Sequence, residues 1–177
     1  MAVNQFTLNA GQRAERKLLI TVAEWSEGGQ TPVREILGTR TEDSSIEYNA
    51  DIQTSTDIRG INYTDVNRTQ PQQAFNPFLI LGGSKLGAFL NNIRRRNAVS
   101  ELGGFTIYVI TAYIDTGSGT THAYEAEKQT GCTIAYSALG GDANVNFPIQ
   151  VFFSNNTTLG TVDKLSDDFV FTADVSL

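Results

Sequence analysis

Cysteine and histidine are nearly absent from this chain, and their absence removes whole classes of chemistry. A single Cys132 excludes an internal disulfide, and with only His122 beside it the usual ligand types of a zinc site are missing. Proline is also scarce, with four in 177 residues, and there is no Gly/Ser linker, low-complexity tract or repeat of fixed period. The chain therefore reads as one domain, residues 1–177, long enough for a proper core and too short for two ordinary domains. No apolar run approaches a membrane span, and the opening MAVNQFTLNAGQRAERK lacks a hydrophobic signal core, so neither membrane insertion nor secretion is expected. Positive charge is in deficit: 13 Lys and Arg against 19 Asp and Glu leave a net charge of −6. Binding to nucleic acid by phosphate neutralisation needs a basic stripe, so an encounter with DNA is expected to be repulsive.

What recurs is period-two alternation bounded by Gly, Asn, Asp and Pro, the pattern of an antiparallel all-β fold. Val145, Phe147, Ile149, Val151 and Phe153 mark a core-facing strand. Pro148 cannot donate a ladder hydrogen bond, which predicts a sheet edge or a bulge there. Cys132, Ile134 and Tyr136 alternate similarly, as do Leu18, Ile20 and Val22 against Leu19, Ala23 and Trp25. Phe105–Asp115 is apolar on both faces, with Tyr108, Ile110 and Ile114 opposite Phe105, Ile107, Val109 and Tyr113, so both faces must be covered. One cover is an amphipathic helix predicted at about residues 84–98. Leu86, Phe89, Leu90 and Ile93 fall at helical spacing, Ser84 is a good N-cap, and Arg94, Arg95 and Arg96 lie where the helix dipole favours cations. Phe169, Phe171, Ala173 and Val175 read as a final strand.

Residues Thr41 to Asp65 depart from this pattern. They are spaced like a β-hairpin yet polar on both faces, with only Ile46, Ile52, Ile58 and Ile61 as apolar anchors. Glu42, Asp43, Glu47, Asp51, Asp57 and Asp65 stand against Arg59 alone, a local net charge of −5. Such a ribbon cannot belong to the core of a monomer. It reads as a wall that faces water, or as an arm that orders against neighbouring copies.

The catalytic and ligand-binding lookalikes have simpler readings. Asp115-Thr116-Gly117 ends an apolar strand as in aspartic proteases, but that chemistry needs two carboxylates sharing a proton, and loop chemistry explains one copy. Gly82-Gly83-Ser84-Lys85 opens a helix without phosphate-loop spacing and reads as an N-cap. Asp142-Ala143-Asn144-Val145-Asn146 begins like a calcium loop, but Phe147 stands where the turn glycine is required. His122 has no Cys, Ser or acid pair beside it in sequence and reads as an exposed loop residue. The Asn-x-Ser/Thr matches at Asn62, Asn67, Asn155 and Asn156 carry no weight without secretion. No nucleophile, base and oxyanion arrangement can be assembled, so no catalysis and no cofactor are expected.

Several short stretches, in order, carry a resemblance. They are Glu42-Asp43-Ser44-Ser45-Ile46-Glu47, Thr56-Asp57-Ile58-Arg59-Gly60, Phe75-Asn76-Pro77-Phe78, Gly82-Gly83-Ser84-Lys85-Leu86, Arg94-Arg95-Arg96-Asn97, Phe153-Ser154-Asn155 and Leu159-Gly160-Thr161. Together they resemble the major tail tube protein of long, non-contractile-tailed bacteriophages of Gram-positive hosts. The resemblance implies a mainly β fold, an antiparallel β-sandwich or barrel with one flanking helix, and subunits in hexameric rings stacked into a hollow tube that conducts DNA into the host. It implies tail terminator, tape measure and distal tail proteins as assembly partners, and a place in the virion tail after assembly in the host cytoplasm.

On that footing, residues of about 40–78 form a lumen hairpin and inter-ring arm, with Gln70-Pro71-Gln72-Gln73 as its turn. Glu47, Asp51, Asp57 and Asp65 are the lumen-facing candidates. Arg59, Phe75, Pro77, Phe78, Arg94, Arg95 and Arg96 are the inter-subunit candidates, and Met1–Arg16 and Leu165–Leu177 could add further contacts. The alternatives are the tube subunit of a contractile tail or related secretion machine, and a virion decoration or binding β-sandwich.

Overall fold

The computed structural model describes residues 7–41 and 43–174. Among these, eleven strands form two antiparallel sheets flanked by one α-helix. In chain order they are β1 (Leu19–Trp25), β2 (Val33–Ile36), β3 (Ile46–Glu47), β4 (Asp51–Thr56), β5 (Asn62–Arg68), β6 (Gln72–Phe75), α1 (Lys85–Arg96), β7 (Gly103–Asp115), β8 (Tyr124–Tyr136), β9 (Ile149–Phe152), β10 (Thr157–Val162) and β11 (Phe171–Ala173). The main sheet runs β2-β1-β7-β8-β9-β6-β3, with β10 and β11 branching from β8, and β4 pairs only with β5.

The scaffold is the β7–β8 hairpin, whose alternation feeds two separate cores, as expected for a strand apolar on both faces. Phe105, Ile107 and Val109 enter the larger core with Trp25, Phe75, Phe89, Leu90, Ile93, Ile134, Phe147, Ile149 and Val151. Tyr108 and Ile110 enter a smaller one with Val22, Ala126, Val162 and Phe169. The first core is closed by α1 and by the β9-β6-β3 wing. The second is closed by β10, β11 and the chain between them, with Arg34 laid over the Phe169 ring at 4.4 Å and bonded to Glu24. The result is a mainly β, antiparallel, sandwich-like domain with one helix.

Two glycines let the hairpin serve both wings. Phe105 stands opposite Cys132 and Thr106 opposite Thr130, so Gly131 is an extra residue in β8; Gly104 is likewise extra in β7. Both sit in the left-handed region, at φ +77° for Gly131 and +85° for Gly104, which makes them paired bulges. At this bend β8 changes partner, from β10 along Tyr124–Gln129 to β9 along Thr133–Tyr136.

The helix forms where its pattern predicts. Ser84 accepts a hydrogen bond from the Gly87 N–H, Leu86, Phe89, Leu90 and Ile93 are buried, and Asn97 in the left-handed region ends it. Phe89 stacks on Trp25 with centroids 5.7 Å apart.

Four expectations are corrected. β9 is an interior strand between β8 and β6, because Pro148 precedes its first residue, where the missing N–H costs no ladder bond. Val145 is 52% exposed, so the core-facing alternation begins at Phe147. Gln72 and Gln73 belong to β6, and the arm turns instead at Asp57–Ile61. The final strand is Phe171–Ala173, paired with β10; Val175 lies outside the described residues.

A Cβ at Gly131 would meet nothing within 4 Å, so the cost of adding one is conformational. Gly131→Ala is expected to lose about 1–2 kcal/mol of stability in urea titration, the penalty for an L-residue in the left-handed region. Gly140→Ala, equally open and without a positive φ, should be near neutral.

Candidate functional site

The arm is built as one long excursion from the sheet. Its base is the β3–β6 pairing, Ile46 opposite Gln73 and Glu47 opposite Gln72. Across the neck the Gln70 N–H donates to the Tyr48 carbonyl and Asn49 Nδ2 to that of Gln70. Beyond it β4 and β5 pair from Asp51–Arg68 to Thr56–Asn62. The Asp57 Oδ1 accepts from the N–H groups of Arg59 and Ile61, Gly60 N–H donates to the Asp57 carbonyl, and Gly60 has φ +77°. This is the three-residue hairpin loop with a left-handed glycine. Those amides, that of Ile61 first, hold the Asp57 carboxyl below its ordinary pKa.

Among the described residues no third strand or helix covers this ribbon. Ile52 and Val66 are each 61% exposed and Ile58 is fully exposed. An isolated two-stranded hairpin is at best marginally stable in water.

The register gives the arm two unlike faces. Ile52 and Val66 pair directly, and Thr54, Thr64, Thr56 and Asn62 continue that face. The other carries Gln53 opposite Asp65 and Ser55 opposite Tyr63, with Asp51 opposite Arg68 near the neck. Asp51, Asp57 and Asp65 are thus in the arm, but Arg59 and Arg68 leave Asp51–Arg68 at a net charge of only −1. The expected −5 does not belong to the hairpin: Asp43 and Glu47 lie before it, and Glu42 is outside the described residues.

Phe75 and Phe78 are buried in the larger core, 1% and 6% exposed, so they anchor the arm and present no face to a neighbour. Pro77 is half-buried, its carbonyl taken by Thr41 Oγ1 at 2.7 Å. Glu47 is exposed and accepts from Gln72 Nε2. Arg59 lies at the exposed tip. Arg94, Arg95 and Arg96 are exposed at the end of α1; Arg94 bonds to Asn91, and Arg96 makes two bonds to Glu101 within its own chain.

The lookalike motifs resolve into local structure. Asp115 accepts from the N–H groups of Gly117 and Ala123 and pairs with His122 Nδ1 at 2.6 Å. The Ala123 amide and then His122 hold its carboxyl below the ordinary range. His122 is therefore not solitary: the β7–β8 loop folds back to bring it to Asp115, and it stacks on Tyr124. At the start of α1 the site for an anion is filled by Glu35, which accepts from Ser84 Oγ and the N–H groups of Lys85 and Leu86. Asn146 accepts from the Phe78 N–H and donates to Asn76. Among the described residues no group of three or more His, Cys, Asp or Glu is placed to hold a metal ion, and no helix is long and apolar enough to cross a membrane.

Sequence reading missed Glu35, because a cap supplied from 49 residues away leaves no local signal. The polar stretch it bounded at Thr41–Asp65 also fell short of the second strand, which runs on to Arg68 opposite Asp51. No family model matches the chain, and no curated protein matches it.

Two outcomes follow. Since the Asp115 pKa is depressed in the fold, its stabilising contribution is complete above the unfolded value of about 4 and is lost as pH falls through the folded value. Asp115→Asn should lower stability by about 1–2 kcal/mol at neutral pH and flatten the acid limb below about pH 4, read by thermal melts across pH. Glu35→Ala should cost about 1–2 kcal/mol through the uncapped helix, read by urea titration.

Proposed function

We propose that this chain is a structural subunit that assembles with copies of itself into stacked rings forming a hollow tube of the phage-tail type, without catalysis or cofactor. The observation that carries the reading is the arm Asp51–Arg68, a two-stranded sheet that no other described residues cover, on an otherwise well-packed domain. Free strand edges and bare apolar faces invite pairing, and a closed ring of identical copies removes them. The ordered motifs that resemble tail tube proteins support the same reading, and hexameric rings and DNA passage are what that resemblance implies.

In this assembly the two arm faces divide the work. The Ile52–Val66 face packs on protein, and the face bearing Asp51, Asp57 and Asp65 meets the water-filled bore. A bore wall that attracted phosphates would hold DNA through released counterions. Arg59 and Arg68 reduce the arm's net charge, so the wall is weakly acidic and owes its low affinity as much to neutral Gln53, Ser55 and Tyr63 as to repulsion.

Electron microscopy of the purified protein at rising concentration is expected to show hollow filaments of regular width; a monomer at every concentration refutes the reading. Asp51→Lys with Asp65→Lys spares the Asp57 turn. It should leave filaments intact while making them retain DNA at low salt, with retention falling steeply as salt rises. Unchanged DNA retention would remove the bore assignment of that face.

A further inference from the structure

The arm has a counterpart at the opposite end of the strands that bear it. It leaves the sheet where Gln72 stands opposite Glu47 and Phe152, whereas Phe75 stands opposite Ile149 at the other end of β6–β9. Beyond that second end the Ile80 N–H donates to the Val145 carbonyl at 3.1 Å, and Gly140 bridges Asn146. These bonds bring two loops together under an exposed aliphatic face, with Ile80 40%, Leu139 43% and Val145 52% exposed. Residues 138–146 carry a single charge, the exposed Asp142.

The arm tip has the matching composition. Ile58 and Ile61, 106% and 43% exposed, flank Arg59. The Asp57 carboxylate is turned back on the amides of Arg59 and Ile61 and the Tyr63 hydroxyl, which leaves the Arg59 guanidinium as the outward charge.

We propose that the arm tip of one chain docks on the Ile80–Leu139–Val145 face of a second copy, with Arg59 set against Asp142. The inference rests on the self-assembly reading above and names the surface that receives the arm. Charge and apolar content match on the two sides. Position makes the occupant a second copy: β4 alone carries the tip about 20 Å beyond the neck, away from the chain's own aliphatic face at the far end. A head-to-tail contact of this kind leaves one arm and one face unfilled at the ends, so it propagates.

Two experiments on the full chain test it. Ile58→Cys and Val145→Cys combined in one chain should give a ladder of disulfide-linked multimers on non-reducing gels after mild oxidation, while either alone stops at dimers; the native Cys132 is buried. Arg59→Glu or Asp142→Arg alone should raise the concentration at which assemblies appear by about tenfold, and the two together should restore it, as a close interfacial charge pair requires. Assemblies that form normally with no ladder, and charge variants that behave as wild type, overturn this contact and leave the self-assembly reading standing. A wild-type chain that is monomeric at every concentration overturns both.

Discussion

A two-stranded sheet in water has no interior. Its ladder bonds are exposed on both faces, and its apolar side chains gain nothing from folding unless a third layer arrives. The arm from Asp51 to Arg68 is under that constraint, and the rest of the domain is arranged to hold it in place nonetheless. Its root is tied at several independent points. Phe75 is buried in the larger core, Thr21 Oγ1 donates to Gln73 Oε1 across that core, Ser44 Oγ donates to the Ala74 carbonyl, and Arg16 donates to the Ser44 carbonyl. A root tied at several points and an uncovered blade together describe a projecting element, and under the proposed self-assembly its third layer comes from another copy.

The body explains how such a root can be rigid in a domain of this size. One long hairpin, β7–β8, is apolar on both faces and so nucleates two cores at once. The paired bulges at Gly104 and Gly131 then let β8 hand its free edge to β10 on one side of the bend and to β9 on the other. The β9-β6-β3 wing that follows carries the arm, so the bend sets the arm's direction. The second core is sealed by Arg34, whose charge is bonded to Glu24 and to the Phe169 carbonyl while its plane lies over aromatic rings. Desolvation works against that guanidinium's charge, and the Glu24 carboxylate more than restores it, raising its pKa.

Local periodicity made much of this visible in the sequence. The helix was legible because Leu86, Phe89, Leu90 and Ile93 obey a 3.6-residue repeat between Ser84 and Asn97. The two faces of β1 and β7 were legible because side chains alternate across a strand. Contacts between distant segments were not legible. Glu35 caps α1 from β2, and His122 meets Asp115 only because a loop reverses. Phe75 and Phe78, bordering a polar segment, read as inter-subunit contacts, yet both are in the core, Phe75 through the β6–β9 pairing and Phe78 beside Phe147, whose N–H donates to its carbonyl. The acidity of the hairpin was overstated because its boundary was set by composition, whereas the ladder sets it by hydrogen bonds and admits Arg68 opposite Asp51.

Energetics also bear on the proposed self-assembly, and they favour a subunit that assembles late and together. Ile52, Ile58, Ile61, Tyr63 and Val66 are the exposed large apolar residues of the arm. Tyr63 stays on the proposed bore face, and completing the burial of the other four, three of them already partly covered, is worth on the order of 5 kcal/mol. Joining two bodies costs roughly 4–15 kcal/mol in lost freedom. One arm contact therefore lands at or below balance, and a pair of chains has little reason to persist. A chain entering a growing lattice is different, because it gives its arm to one neighbour, receives an arm from another and loses its rigid-body freedom once. The second contact is then nearly uncompensated gain. Under the proposed self-assembly, a bare arm on a well-packed body gives weak pairs and strong lattices, with growth favoured at an existing end over fresh association in solution.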